Sequence, residues 1–176
     1  MLRAAALVAP SSIEVVLYEE IETLPLFNPD LDIEPGPEGV WRYRAALRDA
    51  SAVIFSTPEY ARGIPGSLKN ALDWVVGSGE LSGKPVALMN ASARGEFAQA
   101  ALREVLKTMD ARLVSGAEVT VPLPGMGLGA REIAADPEFA DLIRVSLQTI
   151  AAVSRVANPE EREQMQGQRQ KQIPAG

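Results

Sequence analysis

The chain has 176 residues, a formal net charge of −6, and neither histidine nor cysteine. These absences exclude a Ser-His-Asp triad, a cysteine nucleophile, a thiolate or imidazole zinc site and a disulfide. The acidic balance argues against nucleic-acid binding, and no apolar run reaches the roughly 20 residues of a transmembrane helix. Because the N-terminus also lacks the pattern of a signal peptide, we expect a cytoplasmic protein with no membrane partner.

Strand-like and helix-like segments alternate along the chain. The strand predictions rest on short β-branched or continuously apolar runs, and the helix predictions rest on apolar residues at helical spacing. In chain order we predict a helix at 2–9, a strand at 13–18, a proline-rich loop at 24–39, a helix at 39–49 with Trp41, Ala45 and Leu47 facing inward, a strand at 52–56, a helix at 66–77, a strand at 85–90, a helix at 95–110, a strand at 117–121, a loop at 122–129 and a helix at 137–157.

This alternation predicts one α/β domain over residues 1–157 with a doubly wound parallel sheet. Residues 158–176 are polar and cannot bury enough apolar surface to order themselves, so we expect a disordered tail. Ligands of such sheets bind beyond the carboxyl ends of the strands. The loops 57–65, 91–95 and 122–130 are therefore the candidate sites.

The loop at 57–66 combines two prolines, which stiffen it, with glycines that permit close backbone approach. Backbone amides near the start of the following helix suit an anion or an electron-rich planar ligand. A plain strand-to-helix connection is an equally good explanation from spacing alone.

The stretch STPEYARGIPGSLKNALDW, at 56–74, resembles the motif of the NAD(P)H-dependent FMN reductases. This flavodoxin-like family includes quinone, azo-dye and chromate reductases. LPLFNPDLD at 24–32 and LSGKPVALMNAS at 81–92 resemble further family segments. The resemblance covers roughly residues 1–155 and implies a flavodoxin-like three-layer sandwich with a parallel sheet.

The resemblance also implies which residues contact FMN. The loop after the strand at 52–56 and the loop after the strand at 85–90 would line the flavin. The implied cofactor-binding residues are Pro58, Glu59, Tyr60, Arg62, Gly63, Ser92, Arg94 and Gly95. No side chain is assigned a catalytic role, because the flavin N5 carries the chemistry. The other motif residues, Lys69, Asn70, Asp73 and Trp74, are interpreted as helix packing, capping and dimer surface.

The implied activity is hydride transfer from NADPH or NADH through FMN to a quinone, flavin, azo compound or metal oxyanion. A homodimer or homotetramer is implied as well. Two alternatives remain: a non-enzymatic flavodoxin-like protein that has lost FMN binding, and a flavodoxin-type electron carrier. Asp30 and Asp32 lack a complete oxygen-ligand pattern, so no metal site is predicted. Gly125-x-Gly127-x-Gly129 lacks the spacing of a dinucleotide loop and is interpreted as an ordinary loop.

The N-terminus departs from the family pattern. Family members begin with a strand and a Gly-Ser-Leu-Arg-like loop that holds the FMN phosphate, whereas LRAAALVAP resembles only the second half of the helix that follows. In a flavodoxin-like order the absent first strand would lie between 13–18 and 52–56. The start codon is assigned too late, or 13–18 pairs directly with 52–56, or the chain is a degenerate relative without FMN. We favour the first explanation, because residues 13–157 retain the family pattern.

Overall fold

The computed structural model describes residues 1–92, 95–123 and 127–156. Its helices and strands alternate along most of the chain. They are α1 (Leu2–Val8), α2 (Glu38–Asp49), β1 (Val53–Phe55), α3 (Gly66–Val76), β2 (Pro85–Asn90), α4 (Glu96–Thr108), β3 (Arg112–Leu113), β4 (Val119–Thr120), α5 (Ala130–Ala135) and α6 (Pro137–Val156). The predicted disordered tail at 158–176 lies outside the described residues.

The sheet is parallel and centred on β2. β1 pairs with one edge of β2, with Val53 opposite Val86. On the other edge, the β2 carbonyls of Val86 and Asn90 accept hydrogen bonds from Val114 and Val121. Because these carbonyls are four residues apart on one strand, they point to the same side. β3 and β4 are therefore two short pieces along one edge, separated by the turn at 114–118.

Helices cover both faces of the sheet. The side chains of β2 alternate between the two faces, so they pack against helices on each side. Val86 and Leu88 pack into a cluster formed with α2, α3 and α4. Met89 packs into a second cluster formed with α1, α5 and α6. All six β2 residues are buried, as the continuous apolar run predicts. The result is a three-layer arrangement with the sheet in the middle.

The strand predicted at 13–18 is wrong. Its residues form no β-ladder in the described part of the chain, although Ile13 and Val15 pack against one core cluster and Tyr18 packs against the other. A strand requires a hydrogen-bonded neighbour, and the described pairing of β1 is with β2. The hypothesis that 13–18 pairs directly with 52–56 is therefore wrong for this structure.

Two further differences concern helices. The core-facing side chains of α2 are Val40, Tyr43 and Leu47, whereas Trp41 is 49% exposed, so its predicted inward position is wrong. The short helix α5 was not predicted. The two-residue strand β3 was not predicted either, and the remaining boundaries agree with the sequence prediction to within a few residues. No helix among the described ranges is long and apolar enough to cross a bilayer.

Candidate flavin site

The strands β1, β2 and β4 run parallel, so their carboxyl ends meet at one edge of the sheet. The loop after β1 carries Pro58, Glu59, Tyr60, Arg62 and Gly63. The loop after β2 carries Ser92 and Gly95, while Arg94 lies outside the described residues, as does Gly125 in the loop after β4. The topology therefore brings the predicted loops to the same edge, where ligands of parallel sheets bind.

The loop after β1 folds into a tight turn at Tyr60–Gly63. The Tyr60 and Gly63 backbones exchange two hydrogen bonds of 3.0 and 2.9 Å. The central residues Ala61 and Arg62 have φ values of 49° and 60°. Positive φ at both centres defines a type I′ turn, which usually selects Asn-Gly. The turn leaves the Tyr60 side chain 66% exposed.

The side chains around this turn bind the first turn of α4. One carboxylate oxygen of Glu59, Oε2, accepts hydrogen bonds from the Phe97 and Ala98 amides at 2.9 and 3.0 Å. The Arg62 guanidinium lies over the Phe97 ring, 4.9 Å from its centroid. The loop after β1 is thus attached to the helix that follows the loop after β2.

The loop after β2 is organised by Asn90, which the sequence analysis did not single out. Its side-chain amide donates to the Ser92 carbonyl at 2.5 Å, and its Oδ1 accepts from the Ser92 amide at 3.1 Å. A Cβ on Gly95 would lie 3.4 Å from that Oδ1 atom, so the loop passes close to Asn90. The sequence contained one indication of this role, because Asn90 is a polar residue at the end of an otherwise apolar strand.

The remaining motif residues hold the proline-rich segment. The side chain of Asn70 donates to the Pro25 carbonyl at 2.9 Å and accepts from the Phe27 amide at 2.8 Å. The indole of Trp74, which is fully buried, also donates to Pro25 at 2.8 Å. The buried position of Trp74 agrees with the packing role predicted for it, whereas Asn70 acts through hydrogen bonds to this segment.

Asp32, in the proline-rich segment, has a basic partner on α2. Asp32 forms an ion pair with Arg44 at 2.7 Å, and Arg44 also donates to the Trp74 carbonyl at the end of α3. Within the described ranges, no group of three or more acidic side chains is arranged to hold a metal ion.

Comparison with known proteins shows the family to which the chain belongs. The family model described as NADPH-dependent FMN reductase matches residues 1–123. The chain belongs to the NADPH-dependent FMN reductase family. The resemblance noted in the P-E-Y to A-L-D-W stretch is therefore confirmed.

Individual relatives carry related names. A protein named NAD(P)H-dependent FMN reductase from Pseudomonas aeruginosa is 36% identical over 154 residues, which is 84% of this chain and 81% of the relative. A quinone reductase from Escherichia coli is 34% identical over 142 residues, or 77% and 72% of the two chains. A quinone reductase from Pseudomonas putida is 43% identical, but the match spans 61% of that relative's length.

Solved structures support the fold class. The structure of FerB, a flavoenzyme NAD(P)H:(acceptor) oxidoreductase from Paracoccus denitrificans, aligns with a TM-score of 0.65 and 27% identity. The alignment covers 86% of this chain and 87% of FerB. The predicted flavodoxin-like α/β class with a parallel sheet is confirmed.

The geometry fits the ring end of an FMN. An isoalloxazine offers a flat face and an edge of carbonyl and nitrogen acceptors. The turn at Tyr60–Gly63 presents an exposed aromatic ring, and the amides of Ala61 and Arg62 donate to no atom of the described residues. Backbone donors of this kind suit the polar edge of a flavin.

Proposed function

We propose that this protein is an NAD(P)H-dependent FMN reductase that passes hydride through FMN to a small-molecule acceptor. The observation that supports this most directly is the type I′ turn at Tyr60–Gly63, placed at the carboxyl edge of the sheet and attached to α4. The family membership and the names of its relatives support the same activity and do not favour a non-enzymatic protein.

When bound, FMN supplies hydride acceptance and donation at its N5 atom. The chain's own groups bind and orient the ring. The backbone at Pro58, Glu59 and Tyr60 would line one side of it, and the backbone at Ser92 and Gly95 would line the other. Arg94 is proposed to contact the same ligand. A protein without histidine or cysteine can support this chemistry because no side chain has to carry the electrons.

Tyr60 flanks the face that remains open, and Arg62 would attract the phosphates of the nicotinamide donor. Because both NAD(P)H and the acceptor would use this face in turn, ping-pong kinetics are expected. The acceptor class we propose is a quinone, with free flavins, azo compounds and metal oxyanions as further candidates. Relatives named quinone reductase support the first choice.

We also propose a homodimer or homotetramer in the cytoplasm. Exposed apolar side chains on the proline-rich segment, which include Leu26 at 83% and Ile33 at 62%, support self-association. Sedimentation velocity on the purified protein tests the oligomeric state independently of activity.

The test of the site uses Tyr60→Asp and Gly63→Arg in the full chain. A Cβ on Gly63 would lie 3.8 Å from the nearest heavy atom, the Tyr60 carbonyl, so the arginine is sterically tolerated at its root. Trp41→Asp is the matched control, because Trp41 is also an exposed aromatic residue but belongs to α2. FMN binding is measured by quenching of flavin fluorescence, and turnover by NADPH oxidation with benzoquinone.

We expect the wild-type protein and Trp41→Asp to bind FMN and turn over, and both loop variants to bind it more weakly. Equal FMN affinity in all four proteins would show that the loop after β1 is not the site. A wild-type protein that binds no FMN would refute the activity and favour the non-enzymatic alternative.

A further inference from the structure

We infer that Glu59 is a positioning residue that joins the two loops assigned to the flavin ring, through hydrogen bonds to the first turn of α4. This inference rests on the proposed function, since it concerns how the ring site is held. In this inference the Glu59 carboxylate binds backbone amides of the protein rather than the ligand.

The first argument is the hydrogen bonding of α4. The first amides of an α-helix have no partner within the helix, and a carboxylate near them is favourable. Gly95, at the N-cap position, has no side chain that could accept from them. Glu59 Oε2 accepts from both Phe97 and Ala98, across 38 and 39 residues of sequence.

The second argument is that the next two helices along the chain are capped locally. At α5, Glu132 accepts from the Gly129 amide at 2.5 Å. At α6, Asp136 accepts from the Phe139 amide at 3.1 Å. Both caps span three residues. Among the described residues, the exposed acid in the first turn of α4, Glu96, forms no hydrogen bond that caps this helix. A cap from a distant loop therefore couples that loop to the helix, which a local cap would not do.

The third argument is the strain in the turn that follows Glu59. Ala61 and Arg62 both occupy the left-handed region, which costs about 1–2 kcal/mol for each non-glycine residue. Such a conformation persists only when its surroundings hold it. Glu59 before the turn and Arg62 within it both contact α4 at Phe97. The turn is thus attached to one helix from two sides.

Together these contacts fix the backbone of the loop after β1 relative to the loop after β2, before any ligand binds. Removing a residue that orients a ligand-binding group, without contacting the ligand itself, typically weakens ligand affinity by about 10–100-fold. We expect Glu59→Ala to weaken FMN binding within that range. Glu59→Gln keeps one oxygen acceptor, so we expect its affinity for FMN to lie between that of Glu59→Ala and that of the wild type.

The experiment compares Glu59→Ala, Glu59→Gln and the control Glu96→Gln, which removes an exposed acid from the same helical turn. Two quantities are measured: the Kd for FMN, and the hydrogen exchange of the Phe97 and Ala98 amides by NMR without FMN. We expect faster exchange at these two amides and weaker FMN binding in Glu59→Ala, partial recovery of both in Glu59→Gln, and no change in Glu96→Gln.

Two results would overturn the inference. Unchanged exchange at Phe97 and Ala98 in Glu59→Ala would show that the cap is not formed in solution. Faster exchange with an unchanged Kd would show that the cap exists but does not position the site. A wild-type protein without FMN affinity would instead refute the proposed function, and the exchange data would then still decide whether Glu59 caps α4.

Discussion

Replacing Ala61 by glycine should stabilise the protein, because Ala61 sits at φ 49° in the turn after β1. Alanine in the left-handed region costs about 1–2 kcal/mol, and glycine removes that cost. Glycine adds conformational freedom to the unfolded chain, which opposes the gain by about 0.5–1 kcal/mol. The net expectation is a gain of about 0.5–1 kcal/mol.

The matched control is Ala46→Gly, the same chemical change at an exposed position within α2. There glycine relieves no strain and should destabilise the protein by about 1 kcal/mol. For a chain of this size, about 2–4 °C of melting temperature corresponds to 1 kcal/mol. The two variants should therefore melt about 3–8 °C apart, on opposite sides of the wild type.

The assay is thermal unfolding followed by circular dichroism, repeated in urea to check that the transition remains cooperative. If Ala61→Gly loses as much stability as Ala46→Gly, the strain assigned to the turn is absent, and the reasoning about it is wrong. The same outcome would also weaken the argument that Glu59 and Arg62 hold a strained turn in place.

Two further predictions concern stability. Burial, with smaller effects from Tyr18 and Glu80, raises the pKa of Tyr43 above its usual value. As the pH rises, the unfolded chain therefore releases the Tyr43 proton before the folded protein does. The free energy of unfolding should consequently fall as the pH rises above about 10. Tyr43→Phe should make that decline shallower in urea titrations at successive pH values, and an equally steep decline would contradict the assignment. Asn70→Ala removes both hydrogen bonds to the segment at 25–27 and should cost about 1–3 kcal/mol. It should also speed proteolysis near Leu26, with Asn70→Asp intermediate because it keeps the acceptor for Phe27; unchanged cleavage would show that Asn70 does not hold the segment.

The sequence was most informative where the structural cause is local. The apolar run at 85–90 predicted β2 with its observed bounds, and the helical spacing at 66–77 predicted α3 to within one residue. On α2 the apolar residues Val40 and Trp41 are adjacent, and periodicity alone did not decide which of them faces the core.

The failures arise where the cause lies elsewhere in the chain. Residues 13–18 have the composition of a strand, but a strand also requires a neighbouring strand, which composition does not supply. Likewise, the motif predicted that Glu59 belongs to the site. It did not show that its carboxylate binds amides 38 residues away, because that contact depends on how β1 and α4 pack.

The break between β3 and β4 bears on aggregation. A long, regular edge strand offers a row of backbone groups to which another chain can add. On this edge the ladder is divided into two pieces of two residues each. Glu118, at the end of the intervening turn, forms an ion pair with Arg103 of α4 at 2.5 Å. An interrupted edge flanked by charge is a poor template for intermolecular strand addition, so we expect this edge of the sheet to resist pairing with a second chain.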